Sequence, residues 1–296
     1  MTGLLSLIKR NCKLFFKDKG MFISSLITPI ILLVLYATFL KNVYRESFIA
    51  NGFIQFSEKI INATVGGQLC SSLLAVCCVT VSFCSNLLMV QDKVTGARRD
   101  LTVSPVKKSV MAIAYYFATV ISTLIVCFVA TGLCFLYLLK MGWYLSLIDI
   151  LSILLDVVLL VLFGTALSSI INIFLSTQGQ MSAVGTIISA GYGFLCGAYM
   201  PISSFSEGLQ KVLSFFPGTY GTALVRNHAL RGAFEAMADE GLPNEAVEMI
   251  KDSIDCNLYF FGDKVGISRM YLILGGTVVL LIGIYVIINV LRKERA

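Results

Sequence analysis

The stretch QDKVTGARRDLTVSPVKK, residues 91–108, decides how this chain is read. It gathers Asp92, Lys93, Arg98, Arg99, Asp100, Lys107 and Lys108 between two apolar flanks, residues 63–90 and 109–139, that carry no charge. A chain that crosses lipid keeps its basic residues in loops on the cytoplasmic side. The island is therefore read as the main inner loop and as the docking point of a soluble partner.

Outward from the island the sequence is too apolar for a soluble domain. Of 296 residues, 57% are hydrophobic and 14% charged, and the mean hydropathy is +0.86. A soluble protein is about a quarter charged. About 20 apolar residues suffice to cross roughly 30 Å of hydrocarbon. Six runs reach that length, near residues 21–40, 63–90, 109–139, 156–176, 181–200 and 270–291. The expected fold is an all-α polytopic membrane protein, a single transmembrane domain over residues 1–296. Its parts are an amphipathic interfacial helix at 1–20, six transmembrane helices, a coupling region at 91–108, and re-entrant helices with a small external cap at 201–268.

The net charge of +6 is no nucleic-acid signal, because it is sorted by loop. Lys9, Arg10, Lys13, Lys17 and Lys19, the island, and Arg292, Lys293 and Arg295 fall on one side, while the short loops of the other side hold only Lys41, Arg45, Lys59 and Lys140. That bias puts both termini in the cytoplasm of a multi-pass cell-membrane protein. In residues 1–20, Leu4, Ile8, Cys12 and Phe15 share one helix face and Lys9, Arg10, Lys13 and Lys17 the other, the pattern of a helix lying in the plane of an anionic leaflet. The nine cysteines have neither metal nor disulfide-framework spacing. They read as small apolar packing residues, and no metal site is expected.

Within the island, Gly96 offers a turn, and Ser104-Pro105 reads as an N-cap with proline at the first helical position. A helix over residues 105–139 would be about 50 Å long, so its first turns should project from the membrane. Small residues at four-residue spacing mark Ala63, Gly67, Ser71 and Ala75, and again Gly185, Ser189, Gly193 and Gly197. Such stripes let helices pack closely or slide along a transport path; the sequence leaves both open. Asp156 is placed at the outer interface, since residues 157–176 alone can span; a helix starting near Ser146 would instead bury it. Residues 177–180 form a tight turn. Residues 201–232 read as two short helices broken near Pro217-Gly218, and the acidic segment 233–267 as a cap with a helix from Asn244. His228, the only histidine, reads as a surface or interface residue.

Three local patterns resemble the permease subunit of ABC-2 type transporters, whose membrane fold is ABCG-like. They are Asp92, Gly96 and Ser104-Pro105 at the place of the family's coupling helix, GAYMPISSF at 197–205, and FPGTYGTALVRNHALRG at 216–232. The last is similar to the family's Asn-Pro-x-Thr-Tyr run, with Phe216 where asparagine is usual. The resemblance implies a pair of permeases, identical or paralogous, above a pair of separate ABC ATPase subunits. It also implies that spans two and five line the cavity. No G-x-x-x-x-G-K-[ST] loop occurs in the sequence, and without its nest of N–H groups the chain cannot cradle nucleotide phosphates. The chain is thus expected to be non-catalytic and to hold no cofactor, with ATP and Mg on the partner ATPase.

The residues expected to dock that ATPase are Asp92, Lys93, Gly96, Arg98, Arg99 and Asp100. Those expected along the substrate pathway are Ser71, Ser82, Asn86, Ser189 and Tyr192. The uncharged pathway suits an amphipathic substrate moved outward. The alternative is an ion-coupled secondary transporter, for which Asp156 is the one intramembrane ionisable candidate. A catalytic reading finds no H-E-x-x-H and no G-x-S-x-G.

Overall fold

A computed structural model describes residues 2–36, 57–103 and 106–291. The chain is helical almost throughout: α1 Thr2–Lys17, α2 Lys19–Leu35, α3 Glu58–Asn86, α4 Leu88–Val94, α5 Ala97–Val103, α6 Lys108–Met141, α7 Leu147–Phe174 and α8 Gln178–Leu195. A 3-10 turn (Ile202–Ser204), α9 Glu207–Leu213, α10 Pro217–Asp239 and α11 Asn244–Ser253 follow. The antiparallel hairpin β1 Leu258–Phe260 and β2 Asp263–Val265 leads into α12 Ile267–Leu291.

Among the described residues, four helical stretches are long and apolar enough to cross a membrane: Glu58–Val94, Ser109–Met141, Leu147–Phe174 and Ile267–Asn289. The expected spans at 21–40 and 181–200 correspond to α2 and α8, which are shorter. Residues 37–40 of the first of these lie outside the described residues, as does Ser104-Pro105; the long helix after it begins at Lys108 behind Lys107.

The bundle is organised around α3. Its most apolar window is 94% buried, against 17% for α12, which shows lipid-type side chains outward. α2, α6, α7, α8 and α10 all pack on α3. Two glycines set these distances. A Cβ on Gly164 of α7 would sit 3.0 Å from the Val79 Cα, and one on Gly67 of α3 would strike the Leu230 side chain of α10. The stripe Ala63–Gly67–Ser71–Ala75 is therefore a packing seam. The stripe on α8 is mixed: a Cβ on Gly185 meets only the far end of Leu87, one on Gly193 would strike the Tyr199 ring, and Gly197 lies beyond the helix at φ +71°.

Three expectations are corrected. First, Asp156 lies well inside a helix and inside the bundle rather than ahead of a span. The Ser146 hydroxyl and Asp149 carboxylate form a capping box that starts α7 at Leu147. Asp156 thus lies about 14 Å along the helix, fully buried. Second, His228 is buried beside it rather than at the surface. Third, the segment after Pro217 is one 23-residue helix reaching Asp239, seated against α3, α7 and α12. The break at Pro217 and the helix from Asn244 are where the sequence places them. The β-hairpin was not anticipated.

Candidate functional site

The charged island folds as an elbow. α4 continues α3 after a single break at Leu87, turns at Gly96 (φ +83°), and gives way to α5. Glycine enters this left-handed region without the Cβ penalty other residues meet. The charges then divide by direction. Asp92 is buried and accepts two bonds from the Arg10 guanidinium, at 2.7 and 3.1 Å, and one from the Tyr115 hydroxyl at 2.5 Å. Hydrogen bonding to Asp92 raises the Arg10 pKa above its ordinary value. One carboxylate thereby joins α1, α4 and α6.

Lys93 donates to the carbonyls of Asn172, Ile173 and Leu175 at 2.9, 2.9 and 3.0 Å. These are acceptors that the last turn of α7 leaves open, and a cation there also opposes the negative end of the helix dipole. Of the six expected docking residues, Asp92 and Lys93 thus spend their side chains inside the chain, and Gly96 makes the turn. Arg99 and Asp100 face outward on α5, with Arg98 half-buried.

A cavity of about 1130 Å³ opens between α2 and α8, floored by Cys84, Leu87 and Gln91. Its α8 wall carries Ser182, Thr186 and Ser189. Ser182 and Thr186 are exposed, unlike the leucines and valines that α12 shows outward. Of the expected pathway residues only Ser189 lines this space. Ser71 bonds to the Gln68 carbonyl and Ser82 to that of Cys78. Asn86 donates to Ser168 and Ser169 and accepts from Thr119, tying α3 to α6 and α7. Tyr192 is buried against Phe216. These four are packing and hydrogen-bonding residues within the described chain.

Two ionisable clusters that spacing alone did not reveal sit toward the other end. Arg226, the largest fully buried side chain, donates to the carbonyls of Ile254 (2.6 Å) and Gly197 (2.9 Å) and to the Ser72 hydroxyl (3.2 Å). Asp255 lies 3.7 Å away and accepts from the amides of Ile202 and Ser203. Burial raises the Asp255 pKa, while Arg226 and those amides pull against it. The GAYMPISSF stretch, α10 and the cap are thereby pinned together. In the second cluster Asp156 contacts His228 Nδ1 at 2.6 Å and accepts from the Tyr271 hydroxyl at 2.6 Å, joining α7, α10 and α12.

Helices that cross lipid, ionisable groups satisfied inside the bundle and a cavity between two apolar helices define a multi-pass membrane protein of the transport class. A family model described as ABC-2 family transporter protein matches residues 52–285, and the chain belongs to that family. It is a membrane component of an ABC transporter, a permease. No match is found among curated proteins.

Proposed function

We propose that this chain is the membrane-spanning subunit of an ATP-driven exporter and that a separate ABC ATPase grips the α4–α5 elbow. The observation that carries the reading is the division of charge there. Asp92 and Lys93 fasten the elbow to α1, α6 and α7, so a push on the outward-facing Arg99 and Asp100 moves three helices rather than a loop. Coupling needs an element that contacts the partner differently in two states, and a braced elbow transmits such a difference. In this reading the elbow end and both termini are cytoplasmic and six helices span the membrane, α2 and α8 completing the set.

The small, hydroxylated stretch of α8 that lines the α2–α8 cavity supports a second permease, identical or paralogous, across it, since small residues let helices approach closely. The cavity's mainly apolar walls with a few hydroxyls suit an amphipathic substrate. ATP and Mg belong to the partner. The test is hydrolysis in the purified complex. Turnover should require Arg98 and Arg99 and respond to the presence of the permease.

A second reading, an ion-coupled carrier, draws on the buried Asp156–His228–Tyr271 cluster. Transport driven by an ion gradient with no nucleotide would favour it and overturn the first.

A further inference from the structure

Away from the α2–α8 cavity, a second and almost entirely apolar groove of about 460 Å³ lies on the opposite side of α2. α3 forms its floor with Leu73 and Cys77, α2 one wall with Phe22 and Leu33, and α6 the other with Val129 and Ala130. α2 and α6 each pack on α3 but scarcely on each other, so among the described residues the groove is open sideways. No charged residue lines it among those described. From Phe22 to Leu33 it follows about 16 Å of helix rise, close to half of the roughly 30 Å hydrocarbon core. That is one leaflet's acyl chain.

The end of the groove fixes what the chain would be attached to. Phe16 of α1 and Phe22 of α2 close it on the elbow side. Lys9 and Lys13 stand two turns and one turn behind Phe16 on the same helix face, and Lys17 and Lys19 flank the corner between α1 and α2. All four lysines are exposed and make no ion pair among the described residues. The neighbouring acid, Asp18, is turned the other way, capping the Met21 amide and lining the α2–α8 cavity.

We propose that this groove is a binding site for an anionic phospholipid of the leaflet on the elbow side. One acyl chain lies between α2 and α6, and the headgroup rests on Lys9, Lys13, Lys17 and Lys19. The apolar lining holds the tail without preference; the lysines supply the selectivity. The site would brace α1 against α2 at the corner beside the elbow.

The sequence carries a single tryptophan, Trp143, so Trp143→Phe with Phe22→Trp leaves one reporter at the groove mouth. Reconstitution into phosphatidylcholine vesicles then compares quenching by brominated phosphatidylglycerol and brominated phosphatidylcholine at equal mole fraction. The phosphatidylglycerol should quench at markedly lower mole fraction, and each lysine changed to glutamine should weaken that preference by about fivefold. Ala130→Phe, or the more exposed Val129→Phe, fills the groove and should abolish the preferential quenching at an unchanged melting temperature. Equal quenching by both lipids would overturn the proposal, as would selectivity that survives loss of all four lysines or filling of the groove. So would exclusion of both lipids upon chemical dimerisation, which would assign the groove to a second copy. None of these outcomes depends on an ATPase, so the site stands or falls apart from the exporter reading.

Discussion

Arg226 shows how one side chain decides the arrangement of the cap. Its guanidinium reaches acceptors on α3, on the segment after α8 and on the chain after α11, and the planar fork is what allows three directions at once. Arg226→Lys should retain the charge but lose acceptors and stability, while Arg226→Ala should cost about 3–5 kcal/mol by leaving Asp255 buried and unpaired; thermal melting of the purified protein measures both. The Asp156 cluster predicts a graded series. Asp156→Asn still accepts from Tyr271 and should melt above Asp156→Leu, which strands both Tyr271 and His228. The depth of Asp156 was half legible. Ser146 and Asp149 form a recognisable cap, yet residues 157–176 are apolar enough to span without it. Its partner His228 lies 72 positions away, and no local pattern links the two.

At the scale of elements, the elbow predicts two distinct failures. Lys93→Met removes three hydrogen bonds to the end of α7 and should lower stability by about 1–2 kcal/mol. Arg99→Glu, at an exposed position on α5, should abolish stimulation of the ATPase in a permease that remains folded. The island was conspicuous in sequence because charge stands out between apolar runs. Which charges turn inward was not, since burial of Asp92 depends on Arg10 and Tyr115 arriving from distant elements.

The hairpin shows a different limit: strands of three residues are too short to give a period. It is tethered to α11 through Glu248, which Lys264 and Lys251 hold down at about 2. A depressed carboxylate stabilises above its unfolded value of about 4.5 and loses that contribution as pH falls toward 2. Protection factors of the amides in residues 258–265, taken against the intrinsic exchange rate at each pH, should accordingly hold at neutral pH and fall below about pH 4.5. Glu248→Gln should remove this pH dependence. The groups are largely exposed, so added salt should shrink the effect.

For the whole molecule, composition made the membrane assignment and packing supplied the hierarchy. α3 and α12 are both apolar and long, yet only α3 is enclosed on all sides; hydropathy does not distinguish a central helix from a lipid-facing one. The face of α8 with Ser182 and Thr186 exposed is where the proposed second permease would dock. Thr186→Cys should cross-link two permeases under mild oxidation, whereas a cysteine at Val279, exposed on α12, should not.

The central claim is that the elbow receives work from a nucleotide-hydrolysing partner. It is tested most directly by purifying the tagged chain from its own membrane in mild detergent and photolabelling the preparation with azido-ATP. The account predicts label on a separate co-purifying polypeptide, and its loss with Arg99→Glu in a permease that remains folded. Label on this chain itself, or a partner retained in full when both Arg99 and Asp100 are reversed in charge, would contradict it.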